Sequence, residues 1–221
     1  MGTSLQIKVF YHVCATGDGW ERIVRDQLAK LLFSGLYHAA AAVYACVSGA
    51  HAHDAARLLA EAGRVQVLAV EPADTSHERL TLLRMHEVVQ PGDAVLYLHS
   101  KGVTKPGDER VWDWRALMEY FVVGHWKSCV DVLVQGADAV GVNYKDAPWR
   151  HFSGNFWWCT GAHFLKLPRA IGDDYFAPEA YLLSQGGTAA CVMSTAVDHY
   201  KERYPPSLYV DASWRPTWAR A

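Results

Sequence analysis

The 221-residue chain sets 21 lysines and arginines against 23 aspartates and glutamates, and its 51% hydrophobic content is enough for one substantial core. The small net charge of -2 argues against tracking a nucleic-acid backbone, and five scattered cysteines without a CxxC pair argue against a disulfide framework or a zinc knuckle. No apolar run approaches the roughly 20 residues that span a bilayer, and MGTSLQIKVFYHV shows no basic region followed by an apolar one, so no signal peptide is expected. The expectation is a soluble, cytoplasmic protein in a reducing compartment, with peripheral membrane association left open.

IKVFYHVCA, residues 7 to 15, is a β-rich run. Asp18 follows as a candidate N-cap, and Trp20, Ile23, Val24, Gln27, Leu28 and Leu31 recur at helical spacing as far as Ser34 and Gly35. AAAVYACVSG (40 to 49) predicts a second buried strand, HDAARLLAEAG (53 to 63) a helix stopped by glycine, and RVQVLAVEP (64 to 72) a third strand. A helical pattern over 76 to 89 precedes the turn Pro91-Gly92-Asp93 and a fourth, apolar strand that ends in His99, Ser100 and Lys101. Residues 109 to 136 predict one long, aromatic-rich helix, and ADAVGVNY (137 to 144) a fifth strand. This alternation implies an α/β fold with a mainly parallel sheet flanked by helices. From residue 150 the composition turns irregular and aromatic, which predicts an elaboration rather than a further crossover. There is no internal repeat.

Ligands of open α/β sheets bind beyond the carboxyl ends of the strands, so a buried strand ending in polar residues marks a site. The Lys101 ammonium suits diphosphate oxygens, His99 can donate a hydrogen bond or ligate a cation, Gly102 permits the turn, and Lys105 lies in the same loop. Neither GxxxxGK[ST] nor GxGxxG follows the first strand, which disfavours P-loop and dinucleotide sites. A nucleotide base and ribose would instead meet the first strand end at Tyr11, His12 and Val13. HAHD (51 to 54) has the spacing of two metal ligands, but nothing nearby completes a zinc set, so a hydrolase built on it ranks low. HFSGNFWW (151 to 158) puts Ser153, Gly154 and Asn155 beside the rings of Trp157 and Trp158. Aromatic faces next to hydroxyl and amide groups suit carbohydrate, whereas Phe156 reads as packing. Asp113, at the start of a helix, and Glu179, after a proline, are the carboxylates singled out.

YLHSKGVT, WDWRALMEYF, GVNY, HFSGNFWW and PEAYLL, in that order over most of the chain, resemble a family of GT-A-fold glycosyltransferases. That family occurs in chlorella-type large viruses and bacterial polysaccharide gene clusters and is distantly similar to rhamnan-synthesis proteins. HERLTLL (77 to 83) is similar to an E-x-x-T-L segment of it. The resemblance implies a single GT-A-like, Rossmann-like domain over 1–221, with a nucleotide-sugar-binding half (1–145) and an acceptor-side half (146–221). It implies transfer of a sugar from a nucleotide sugar, typically a UDP-sugar, to a saccharide or glycan acceptor in polysaccharide synthesis. On that reading Tyr11, His12, Val13, His99, Ser100, Lys101 and Gly102 hold the donor, and Ser153, Gly154, Asn155, Trp157 and Trp158 the acceptor. Glu179, or less favourably Asp113, is the catalytic carboxylate. Many GT-A enzymes place DxD at the end of the fourth strand to hold Mn²⁺ or Mg²⁺, and here His99-Ser100-Lys101 stands there instead. Either Lys101 supplies the missing positive charge, or His99 with Asp198 or His199 binds a cation. The alternative is a catalytically silent sugar-nucleotide-binding or assembly module on the same fold.

Overall fold

The computed structural model describes residues 5–210. The chain opens on β1 (Gln6–Cys14) and passes through α1 (Trp20–Phe33) and the single turn α2 (Leu36–Ala39) to β2 (Ala42–Ser48). It continues through α3 (Ala52–Glu61) to β3 (Val65–Glu71) and through α4 (Arg79–Val88) to β4 (Asp93–His99). These four strands are parallel, with β1 between β2 and β4. Next, α5 (Glu109–Glu119), a π-helical turn (Tyr120–Gly124) and α6 (Trp126–Val134) lead to β5 (Ala139–Val142). A small hairpin of β6 (Tyr144–Lys145) and β7 (His151–Phe152), then β8 (Trp157–Thr160), α7 (Gly161–Phe164), α8 (Ala177–Tyr181) and β9 (Ala189–Met193) complete the main elements.

The sheet order is β3-β2-β1-β4-β8-β5-β9. Successive residues of a strand face opposite layers. In β1, Val9, Tyr11 and Val13 join a core with α1, α3, α5 and α6, while Phe10 joins a second core with α4, α7 and α8. Both faces are therefore covered, which is why the strands read as nearly continuous apolar runs. No helix among the described residues is long and apolar enough to cross a membrane, and none of the five cysteines takes part in a disulfide.

Three local expectations are corrected. Residues 157–160 form a central strand, antiparallel to both β4 and β5, where an irregular elaboration was expected. The long helix is broken at Tyr120–Gly124, and the carbonyl of Val122 released there accepts the Trp158 indole N–H at 2.7 Å. A π turn leaves backbone groups out of register with the α-helical ladder, and here a buried donor from β8 takes one up. Finally, α1 begins at Trp20 after Gly19, with no side-chain cap from Asp18.

Candidate functional site

The carboxyl ends of β1 and β4 open on a cleft of about 230 Å³. His12 and Cys14 reach it from β1, His99, Ser100 and Lys101 from β4, and Asp74, His77 and Glu78 from the connection between β3 and α4. Gly154 and Asn155, just before β8, and Glu179 of α8 close it.

The turn after β4 is held from below by buried polar groups. The Ser100 N–H donates to the His12 carbonyl at 3.0 Å, and the Ser100 hydroxyl accepts the Cys14 N–H at 2.8 Å, so the two strand ends are tied together. The Gln27 amide donates to the His99 carbonyl at 3.1 Å, and Arg115 Nη1 donates to the Lys101 carbonyl at 2.9 Å. Both clamps rest on the buried Glu119. Its Oε1 accepts from Gln27 at 2.8 Å and lies 3.3 Å from Arg115 Nε, and its Oε2 is 2.5 Å from Lys30 Nζ. Burial pushes the Glu119 carboxyl up, against the opposing pull of Lys30 and Arg115. Charges out of water persist only when paired, and here Glu119 is paired with Lys30 and Arg115 and hydrogen-bonded by Gln27 and Lys30, while Arg115 Nε meets it as an ion pair without a hydrogen bond.

Gly154 organises the opposite wall. Its N–H donates to Glu179 Oε1 at 2.8 Å, and its carbonyl, which can only accept, takes the proton of His99 Nε2 at 3.1 Å. That contact fixes the His99 tautomer, and burial holds this imidazole below the usual histidine range. Burial likewise lowers His12, to about 4, with its Nδ1 2.9 Å from the Thr81 hydroxyl. Both rings are therefore neutral near pH 7. Burial pushes the Glu78 carboxyl upward, but hydrogen bonds from the Tyr97 hydroxyl at 2.8 Å and the Asn155 amide at 2.6 Å act against it, and the group rests below the usual carboxylate range.

Lys101 places its Nζ 3.8 Å from the centre of the Trp114 ring. Burial draws its ammonium below the usual lysine range, while Glu179 and Glu78 pull it back. Among the described residues no carboxylate lies within ion-pair distance of Nζ. The turn needs Gly102, whose φ is +94° and whose missing Cβ would sit 3.0 Å from Val111 Cγ1.

The structure brings His12, His99, Ser100, Lys101, Gly102, Gly154, Asn155 and Glu179 into one cleft. Other expected site residues fall outside it. Tyr11 and Val13 face the opposite layer because side chains alternate along β1, and the Tyr11 hydroxyl is spent on Gln27 at 2.6 Å. Trp157 and Trp158 are core residues of β8, not an acceptor surface. Trp157 stacks on Tyr97 at 5.0 Å and donates to Asn155, and Trp158 is fully buried on the other face. Ser153 bonds through its backbone to Asn143 and does not line the cleft. Asp113 is one turn into α5, pairs with Arg203 at 2.7 Å and borders a different depression.

The proposed cation ligands are not brought together. His99 is bonded to Gly154, Asp198 pairs with Lys201 at 2.9 Å, and His199 Nε2 lies 3.0 Å from both Asn143 and Thr195. Among the described residues no group of three or more His, Cys, Asp or Glu is placed to hold a metal ion. The described residues of the cleft therefore do not fit a protein-held cation. His51 and His53 lie at the start of α3, outside the cleft.

Sequence reasoning singled out neither Asp74 nor His77 nor Glu78 as site residues. Asp74 accepts the Ser48 hydroxyl at 2.8 Å and the Cys14 thiol at 3.3 Å, and burial pushes that thiol up to about 11. The available signal was HERLTLL itself, which places His77, at a left-handed φ of +49°, and Glu78 immediately before α4.

Residues 10–167 match the model of a family described as a domain of unknown function, DUF8361. The chain belongs to this family. Comparison with curated proteins finds no match. Among solved structures it is similar to a 4-diphosphocytidyl-2C-methyl-D-erythritol synthase from Anaerococcus prevotii DSM 20548, at 8% identity and a TM-score of 0.51, over 87% of this chain and 90% of that one. It is also similar to Rv0371c from Mycobacterium tuberculosis H37Rv, at 14% identity and a TM-score of 0.49, over 87% and 91%. The first likeness is one of fold, and it identifies this family member as a GT-A-like, Rossmann-like α/β protein.

Proposed function

We propose that the chain is a glycosyltransferase that moves a sugar from a UDP-sugar to a saccharide acceptor. The observation that carries this reading is the Lys101 ammonium, seated on Trp114 at the carboxyl end of β4 without a carboxylate in ion-pair distance among the described residues. A half-buried cation so placed calls for an anion, and a diphosphate supplies it. Glu179 lies near enough to raise the affinity of Lys101 for its proton. One Glu179 oxygen is anchored on Gly154, and among the described residues the other has no hydrogen-bonding partner. A fold shared with a diphosphocytidyl-methylerythritol synthase is compatible with a nucleotide-dependent transferase.

In the reaction the acceptor hydroxyl oxygen forms a bond to C1 of the donor sugar, and the bond from C1 to the diphosphate oxygen breaks. The electron pair stays on the departing UDP, where Lys101 offsets the developing charge. Glu179 takes the hydroxyl proton. His99 and Ser100, held by Gly154 and by β1, keep the Lys101 turn fixed while charge moves.

A melting scan against UDP-, GDP- and dTDP-sugars, with and without Mn²⁺, tests the donor site. Ligand at a hundredfold excess over Kd adds about 2.7 kcal/mol, or roughly 5 to 10 °C for a chain of this size. UDP-sugars are expected to give the shift, and no shift with any nucleotide sugar overturns the reading. Release of pyrophosphate from a nucleoside triphosphate, in place of UDP from a UDP-sugar, would replace glycosyl transfer by nucleotidyl transfer.

A further inference from the structure

Four large aromatic side chains are exposed among the described residues, Phe33, Tyr175, Phe176 and Tyr200, and three of them line the one cleft that holds Lys101 and Glu179. Tyr175 is 77% exposed, Tyr200 57% and Phe176 43%. Exposed aromatic area is costly to leave in water and, when gathered at a concave site, marks a binding surface.

Both rims are braced. Arg79 donates to the carbonyl of Gly172 at 2.6 and 2.8 Å and to that of Asp174, fixing the segment that carries Tyr175 and Phe176. Arg110 donates to the Tyr200 carbonyl at 3.0 Å, and the Tyr200 ring meets the buried Trp114 edge-on at 5.0 Å. Phe176 leans on Trp149 at 5.6 Å. Polar groups lie among the rings. Partial burial raises the Tyr200 hydroxyl, Glu179 and Tyr175 beside it raise it further, and Lys105 Nζ is 6.0 Å from the centre of the Tyr200 ring.

We propose that Tyr175, Phe176 and Tyr200 form the stacking platform for the acceptor saccharide, a role resting on the glycosyltransferase reading. A pyranose ring has apolar C–H faces that lie on aromatic rings and a girdle of hydroxyls that reach carboxylate and ammonium groups, and this rim supplies both. A protein partner would need roughly 800 Å² of surface from each side, far more than three side chains around a small cleft provide. This platform replaces Trp157 and Trp158, whose burial in β8 takes them away from any acceptor.

Saturation-transfer NMR with cellohexaose, laminarihexaose, maltohexaose and chitohexaose tests it, alongside calorimetric titration of UDP. The wild type is expected to bind at least one hexaose. Tyr175→Ala and Tyr200→Ala should each weaken that binding by roughly tenfold and leave the UDP affinity unchanged, whereas Tyr175→Phe retains both. Saccharide binding that survives both alanine variants overturns the platform, as does loss of UDP affinity in them, which would make the rings a base-stacking site. Failure of the wild type to bind any of the four hexaoses also overturns it. Saccharide binding without UDP binding removes the donor reading and leaves the platform standing, so the two failures are distinct.

Discussion

A Gly154→Ala variant should melt well below the wild type and lose the cleft geometry with it. Gly154 has a φ of +94°, where an L side chain costs about 1 to 2 kcal/mol. A Cβ there would lie 2.5 Å from Met118 Sδ, 3.0 Å from Met118 Cε and 3.1 Å from Trp114 Cε2. Overpacking of that kind typically costs about 1 to 3 kcal/mol. The two together amount to about 2 to 5 kcal/mol, which lowers Tm by roughly 10 °C in a chain of this length. Gly186→Ala is the control: its φ is +79°, but nothing lies within 4 Å of the added Cβ, so it bears the backbone strain alone. Differential scanning calorimetry on both variants reads the difference. The same displacement moves the N–H from Glu179 and the carbonyl from His99, so turnover of the folded Gly154→Ala protein should fall as well. Equal Tm losses in the two variants would show that Gly154 is not packed against Met118 and Trp114, and would refute the reasoning.

Lys101→Ala should weaken UDP-sugar binding by roughly ten- to a hundredfold, the loss of a charge-assisted contact of about 1.5 to 3 kcal/mol, while uridine and the Lys105→Ala control change little in calorimetric titration. An equal loss for uridine would show that Lys101 does not face the diphosphate. Arg115→Met removes one of the two cations beside the buried Glu119, leaving Lys30 and Gln27, and frees the Lys101 carbonyl, so urea denaturation should show a loss of about 1 to 3 kcal/mol, and wild-type stability would contradict the network. Because burial lowers His12 to about 4 from an unfolded value near 6.5, its contribution is complete above pH 6.5 and is lost as pH falls toward 4. His12 alone accounts for a loss of about 3 kcal/mol over that window, and a stability profile flat from pH 7 to 4 would contradict its neutral burial.

The four parallel strands were legible because each is a short apolar run bounded by turn residues, and coverage on both faces leaves no alternation to confuse them. His99, Lys101 and Gly154 were legible for a related reason, since polar or glycine residues stand where a buried run stops. β8 was not legible. It is four residues long, it is preceded by SGNF and followed by Gly161, and its partner β4 lies far away in sequence, so only tertiary pairing identifies it. The error propagated: two tryptophans beside polar residues read as a sugar platform when they are the two faces of a central strand. The exposed rings at Tyr175 and Tyr200 sit in irregular segments without periodicity, and their convergence on Glu179 comes from Arg79 and Arg110 reaching backbone carbonyls. Asp113, at a helix start, read as structural more readily than as a catalytic carboxylate, and Arg203, 90 residues on, supplies the ion pair that the sequence could not show.

The central claim, that this cleft breaks the bond between a sugar and UDP with Glu179 receiving the acceptor proton, is tested most directly by UDP release from a UDP-sugar panel. Wild type and Glu179→Gln are compared in the presence of an acceptor saccharide. Glutamine keeps the oxygen that accepts the Gly154 N–H but removes the charge and the basic oxygen. UDP release should fall by about a hundredfold or more in the variant, while UDP-sugar affinity stays within about twofold of wild type. Wild-type rates of UDP release by Glu179→Gln, or no release by the wild-type protein from any UDP-sugar, would contradict the account.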